Sequence, residues 1–171
     1  LSRLFAIGIL LASCVMFPRV LLEVLVVNSD LLGRVASPLL AMLAAGLIGA
    51  AVIWRQQRRI RGESEKAVEL ANPLKITTAM TFGLAFALVL VAVRAANEFL
   101  GGAGVYLASA LAGLVDVDAI TLSVSGLAAG GQLQADVAGG AIVLASLVNT
   151  AVKAATAWAL GTMQLRRVKI G

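Results

Sequence analysis

The stretch between Gly113 and Ala128 carries the side chains of this chain that are best suited to chemistry. Its polar residues are Asp116, Asp118, Thr121, Ser123 and Ser125. Carboxylates, hydroxyls and backbone carbonyls are the oxygen ligands that Mg²⁺, Ca²⁺ and Na⁺ prefer, and carboxylates within a membrane also carry protons. We therefore predict an ion or small-solute site built from the first four of these residues, although their spacing does not select one solute.

The two aspartates have different predicted roles. Asp118 lies three residues before Thr121 at the start of an apolar run, a position typical of a helix N-cap. A cap would also neutralise the positive end of that helix, so structural and functional roles are compatible. Asp116 would lie in the bent segment before the helix, where free carbonyls gather. We therefore expect Asp116, more than Asp118, to contact the solute.

A second polar group lies closer to the C-terminus. Asn149 and Lys153 are four residues apart and share one helix face, and Thr150 lies beside that face. Lys153 is either the charge partner of Asp116 or Asp118, or a cation that a solute displaces or meets, because charges inside a membrane usually pair.

Two Arg-x-x-x-Glu sequences occur within apolar stretches. They are Arg19 with Glu23 and Arg94 with Glu98. A spacing of four residues places both members on one helix face, where they can form an ion pair or reach towards the lipid headgroups. We expect both pairs to be structural charge partners along the solute pathway rather than ligands.

The composition indicates a membrane protein. Of the 171 residues, 60% are hydrophobic and 13% are charged, whereas soluble domains have about 25% charged residues. The net charge of +5 comes mainly from basic residues beside apolar segments, so it reports topology and does not indicate nucleic-acid binding. The lipid bilayer is the expected partner.

Several chemical classes are disfavoured. The chain has no histidine and one cysteine, which is incompatible with a zinc motif or an internal disulfide framework. It contains no recognisable pairing of nucleophile and base, no phosphate-binding glycine loop and no HExxH motif. We therefore expect no enzymatic activity, and no cofactor other than a bound cation.

The predicted fold is an all-α polytopic membrane protein in a single domain, 1–171. Four apolar segments are long enough to cross a bilayer, which needs about 20 helical residues. They are 4–27, 31–54, 76–100 and 137–160. A further apolar segment, 104–130, is interrupted in its middle by Asp116-Val117-Asp118.

The basic residues predict how segment 104–130 is arranged. The polar segment 55–75 carries five basic residues within 55–66, which places it in the cytoplasm by the positive-inside rule. The C-terminus is also basic. If 104–130 crossed the membrane, this C-terminus would lie outside, whereas a re-entrant hairpin would keep it in the cytoplasm. We favour four full transmembrane helices plus a broken or re-entrant helical hairpin.

Three segments resemble a known family. They are 14–28, 113–123 with its Asp-Val-Asp-Ala-Ile-Thr element, and 149–154. They are similar to a bacterial membrane domain of unknown function that commonly follows an MgtC/SapB-type region in the same polypeptide. The resemblance implies an MgtC/SapB-type region in the same or a neighbouring chain, and it favours Mg²⁺ by association only. It also implies upstream membrane segments, and the chain begins with Leu rather than Met, as expected for a piece of a longer protein.

Two functions are compatible with these features. The first is a transporter or channel-like protein of the bacterial inner membrane, for an ion such as Mg²⁺ or for a small solute. The alternative is a non-transporting regulatory or structural subunit, in which the polar groups only hold helices together and the basic loop contacts a cytoplasmic partner or anionic lipid. Because 171 residues are few for a closed permeation path, we expect a homo-oligomer, with a dimer favoured.

Overall fold

The chain is helical almost throughout the part that the structure describes. The computed structural model describes residues 2–58 and 76–167, and within the first helix it describes side chains from Ala12 onward. The helices in these ranges are α1 (Ser2–Val27), α2 (Leu32–Arg58), α3 (Ile76–Gly113), α4 (Asp118–Ala129) and α5 (Ala135–Arg167). The predicted all-α class is confirmed for these residues, while most of the predicted basic loop lies outside them.

Long apolar helices dominate the described part of the chain. Within it, Ser29–Val52, Phe86–Gly113 and Ala135–Thr156 are long and apolar enough to cross a membrane. The predicted span 4–27 falls on α1 and is not among these three. Membrane character is therefore supported by three helices, one of which is sharply bent.

The first two helices form an antiparallel pair joined by a tight turn. Asn28 Oδ1 accepts a hydrogen bond from the N–H of Asp30 at 3.3 Å and thereby caps the 3₁₀ turn Ser29–Leu31. Farther from the turn, Cys14 Sγ of α1 lies 3.0 Å from the place that a Gly46 side chain would occupy. Pro18 lies inside α1 and, since it has no N–H, it leaves the Cys14 carbonyl without its helical donor.

Helix α3 changes direction at Gly101. This residue has φ 59° and ψ −150°, a left-handed conformation that only glycine adopts readily. The bend brings the following turn against the preceding one, so a side chain on Gly104 would overlap the Ala96 carbonyl. The residues after the bend, 102–113, form a separate limb about 18 Å long at 1.5 Å per residue.

The limb and α4 form a hairpin. The four residues 114–117 connect them, and after this short connection α4 runs back alongside the limb. Gln132, just beyond the end of α4, lies back beside the end of the first half of α3. There its carbonyl accepts a hydrogen bond from Asn97 Nδ2 at 3.2 Å, and its side-chain oxygen accepts one from Arg94 Nη2 at 2.6 Å.

Helix α4 occupies the centre of the molecule. Eight of its twelve residues are buried, and it contacts α1, α3 and α5. Its apolar side chains Ile120 and Val124 are fully buried with Phe17 of α1 and Ile142 of α5 in one hydrophobic core. A helix of this length gains most of its stability from such packing rather than from its own propensity.

Helix α5 runs parallel to the limb and very close to it. Along the two helices, Val137 faces Gly102, Tyr106 faces Gly140, and Ala145 faces Gly113. A Cβ atom on Gly113 would lie 2.6 Å from the Ala145 carbonyl oxygen. Small residues permit this approach, which is the usual means by which membrane helices associate.

We predict that Gly113→Ala separates the limb from α5. The added methyl group would meet backbone atoms that cannot rotate away, so we expect the free energy of unfolding to fall by about 1–3 kcal/mol. Titration of the purified protein in mixed micelles with sodium dodecyl sulfate measures this change. The matched control is Gly126→Ala in α4, where nothing lies within 4 Å of the added Cβ. If Gly113→Ala were as stable as this control, the close approach would be refuted.

Candidate functional site at the helix break

A polar cleft lies beside the break between the limb and α4. Its volume is about 230 Å³, and its walls come from α1, the break and α5. The lining residues are Ala12, Val15, Met16 and Arg19, then Val115, Asp116, Val117 and Asp118, and finally Asn149 and Lys153. The structure therefore brings together five of the predicted site residues, from segments up to 134 positions apart in sequence.

The backbone of the break is only partly hydrogen-bonded. Asn149 Nδ2 donates to the Gly113 carbonyl at 2.9 Å, which satisfies the last carbonyl of the limb. The carbonyls of Leu114, Val115 and Asp116 accept no hydrogen bond from any described residue. Free carbonyls in a membrane occur where the backbone is covered by protein or lines a water-filled cavity. Here the break lines the cleft.

Asp116, rather than Asp118, caps α4. The two oxygens of the Asp116 carboxylate accept hydrogen bonds from the N–H groups of Asp118 at 3.3 Å and Ala119 at 3.4 Å. The predicted N-cap role of Asp118 is therefore wrong. The physical reason is that the helix begins at Asp118, so the carboxylate two residues earlier is the one within reach of the free N–H groups.

Asp118 instead forms an ion pair with α1. Its side chain is 10% exposed, and its Oδ2 lies 2.5 Å from Arg19 Nη2. The same guanidinium binds Glu23 Oε1 through Nε at 3.2 Å, as the four-residue spacing predicted. Arg19 is thus shared by two carboxylates, the predicted partner Glu23 and the additional partner Asp118.

Lys153 has no carboxylate partner among the described residues. Its Nζ donates to Met16 Sδ at 3.5 Å, and a thioether is a weak acceptor. The alternative in which Lys153 pairs with Asp116 or Asp118 is therefore not realised. Asp118 pairs with Arg19, and Asp116 has no ion-pair partner among the described residues. Thr150 donates to the Ser146 carbonyl of its own helix at 2.8 Å and does not line the cleft.

The predicted four-residue oxygen site is not assembled. Ser123 donates to the Ala119 carbonyl at 2.7 Å, and Thr121 is fully buried with an unpartnered hydroxyl. Neither residue lines the cleft with Asp116 and Asp118. Within the described ranges, no group of three or more acidic, cysteine or histidine side chains could hold a metal ion.

Arg94 and Glu98 lie elsewhere. Together with Asn97, Leu127 and Gln132 they line a second pocket of about 330 Å³ at the return end of the hairpin. Arg94 binds the Gln132 side chain through Nε at 3.1 Å and Nη2 at 2.6 Å. The predicted pairing of Arg94 with Glu98 is wrong, since Gln132 provides a closer acceptor for the guanidinium.

The cleft contains equal numbers of opposite charges. Arg19 and Lys153 are the cations on its walls, and Asp116 and Asp118 are the anions. Arg19 lies between Asp118 and Glu23, a carboxylate that does not line the cleft. The remaining cation and anion are held apart, so the cleft can offer one positive and one negative group to a solute.

Sequence reasoning missed two features of the site. Met16 is an ordinary apolar residue in the sequence, and nothing in it indicated a contact with Lys153. The Arg19–Asp118 pair joins positions 99 residues apart, and the nearby Glu23 offered Arg19 a sufficient partner. The one signal in the sequence is that both residues are charges inside apolar segments, where charges usually pair.

A double-mutant cycle distinguishes the two possible partners of Asp118. We expect Arg19→Met and Asp118→Asn to be coupled by about 1 kcal/mol, since the pair is direct but Arg19 is partly exposed. For Lys153→Met and Asp118→Asn the coupling should be about zero. Unfolding in mixed micelles supplies the free energies for both cycles. A larger coupling with Lys153 than with Arg19 would contradict the observed pairing.

Comparison with known proteins identifies the family but no activity. The chain is 30% identical over 166 residues to a protein of Aquifex aeolicus (strain VF5) described as "Uncharacterized protein", and the match covers 97% of this chain and 72% of that protein. No solved structure shows a significant match. The family model described as "Domain of unknown function (DUF4010)" matches residues 1–161. The chain therefore belongs to the DUF4010 family.

Proposed function

We propose that this protein is a membrane transporter or channel-like protein, and that its solute passes through the cleft at the helix break. The observation that carries the proposal is the break itself, where Val115 and Asp116 have free carbonyls and line a polar cleft between apolar helices. Discontinuous helices with free carbonyls near the bilayer midplane are the usual binding elements of secondary transporters.

The depth of the break supports this function. Asn149, which binds the tip of the limb, lies 14 residues after the start of α5. That separation is about 21 Å along the helix, which is past the middle of a hydrocarbon core of about 30 Å. Charged side chains at such a depth are expensive and usually functional.

The proposed topology has four spans and a re-entrant hairpin in the bacterial inner membrane. The start of α2, the end of α4 and the start of α5 lie at one end of the molecule, where Arg34 pairs with Asp136 at 2.6 Å. With the basic segment 55–66 in the cytoplasm, this end faces outward. The hairpin then enters and leaves from the outside, and the C-terminus is cytoplasmic, in accord with the positive-inside rule.

The proposed solute is an ion or a small polar molecule. Mg²⁺ is favoured only by the association of similar domains with MgtC/SapB-type regions. A cation would have to bind Asp116 together with the free carbonyls, or displace Arg19 from Asp118. The latter exchange would couple binding to a movement of α1 relative to α4.

The alternative is a non-transporting subunit. It is supported by the observation that both aspartates already have partners within the protein, one in a cap and one in an ion pair. In this case Arg19 and Asp118 only fix α4 against α1. We also propose a homodimer in the bilayer and contact with an MgtC/SapB-type region, while we expect neither enzymatic activity nor nucleic-acid binding.

We predict that Asp116→Asn and Asp118→Asn reduce flux by about tenfold, which corresponds to about 1.4 kcal/mol. Proteoliposomes containing the wild-type protein should conduct at least one of four probes: Mg²⁺, Na⁺, H⁺ or glycine. The matched control is Asp136→Asn, since Asp136 is an exposed carboxylate paired with Arg34 at the end of the bundle. Absence of wild-type flux for all four probes would support the non-transporting subunit, whereas wild-type flux in both cleft variants would refute a solute pathway through this cleft.

Cysteine labelling in intact cells tests the topology. In a Cys14→Ala background, we expect a membrane-impermeant maleimide to label Gln132→Cys from outside. Gly62→Cys, in the basic segment, should react only after the cells are opened. Labelling of Gly62→Cys in intact cells would contradict the orientation, and protection of Gln132→Cys would contradict the re-entrant hairpin.

A further inference from the structure

We propose that the cleft binds a small zwitterion, a molecule with one ammonium and one carboxylate group. This inference rests on the proposed function in that it assigns the solute of the same cleft, and it narrows that solute to one chemical class. It is carried by two charged groups, Lys153 and Asp116, that line the cleft without an ion-pair partner among the described residues.

Lys153 is the site for the carboxylate. Its ammonium has three N–H donors, and its one hydrogen bond to a described residue is to Met16 Sδ at 3.5 Å. No carboxylate of the described chain lies within 4.0 Å of it. Charged groups inside a membrane protein usually face a cavity and pair with an opposite charge, and a bound carboxylate would provide a partner for the Lys153 ammonium.

Asp116 is the site for the ammonium group. Its carboxylate accepts only two long hydrogen bonds from backbone N–H groups, and no described cation lies within 4.0 Å. Arg19, the other cation of the cleft, is already held between Asp118 and Glu23. A ligand ammonium would therefore meet an available negative charge.

Asn149 provides independent evidence of a ligand. The residue is 5% exposed, and its Oδ1 has no hydrogen-bond partner among the described residues. Because its Nδ2 donates to the Gly113 carbonyl, the amide cannot turn over, and Oδ1 remains an acceptor. This oxygen and the free carbonyls of the break could accept the hydrogen bonds that an ammonium group donates in addition to its contact with Asp116.

The charge balance favours a zwitterion over a simple ion. A bare cation at Asp116 would leave Lys153 unpaired and would add positive charge beside it. A bare anion at Lys153 would leave Asp116 unpaired in the same way. A zwitterion satisfies both groups without changing the net charge of the cleft, and a volume of about 230 Å³ accommodates a small amino acid.

Binding of matched probes tests the proposal. The purified full chain would be titrated with glycine, β-alanine and γ-aminobutyrate, which carry both charges at increasing separation, and with acetate and methylammonium, which carry one each. We expect saturable binding of at least one zwitterion, and binding of acetate and methylammonium weaker by about tenfold or more. Lys153→Met and Asp116→Asn should each weaken zwitterion binding by a similar factor, whereas Asp136→Asn should not change it.

The outcomes separate this inference from the proposed function. Mg²⁺ flux without zwitterion binding would overturn the inference and leave the transporter intact. Zwitterion binding without flux would support the inference and overturn transport. If Lys153→Met fails to fold, Lys153→Arg preserves the charge and should retain binding, whereas Lys153→Gln removes the charge from a polar side chain and should lose it. Equal binding of glycine and methylammonium would also overturn the inference.

Discussion

A carbonyl group without a hydrogen-bond donor is unfavourable in hydrocarbon, and the hairpin between Gly101 and Ala129 contains several. Its stability at this depth depends on the few groups that reach the break. Asn149 satisfies the Gly113 carbonyl, Asp116 binds the first N–H groups of α4, and Val115 and Asp116 line the cleft. The tight packing of the limb on α5 is what brings Asn149 within range.

The charges of the cleft follow from the same arrangement. Because α4 begins at the tip of the hairpin, the first residues of the helix lie between α1 and α5. Those two helices contribute Arg19 and Lys153, respectively, to the walls beside its N-terminus. Only Arg19 reaches Asp118. The two cations are therefore not equivalent, since Arg19 has carboxylate partners and Lys153 has none among the described residues.

Periodicity, length and composition were sufficient to predict the helices and the break. Apolar segments bounded by Asn28-Ser29-Asp30 and by Gly101-Gly102 correspond to the described helices, since turn residues and charges mark where helices end. The break was recognisable because two aspartates are improbable within one apolar helix. The helical content was therefore predictable from local sequence alone.

The partners within the site were less predictable. Each depends on the relative depth of two helices, which local patterns do not contain. The sequence suggested that Arg94 pairs with Glu98 and that Asp118 caps α4. In the structure, helix packing places Gln132 beside Arg94 and Arg19 beside Asp118. Likewise, Thr121 and Ser123 were near the aspartates in sequence, yet helical geometry turns Ser123 away and leaves Thr121 in the core.

The proline in α1 gives the two walls of the cleft different stiffness. At Pro18 the helix already lacks one backbone hydrogen bond, one residue before Arg19. Bending α1 at Pro18 would therefore break fewer backbone hydrogen bonds than bending an uninterrupted helix, such as α5 beside Lys153. Helix α1 is thus the wall that bends more easily. Movement of its N-terminal half about Pro18 could widen the cleft while the wall formed by α5 stays in place.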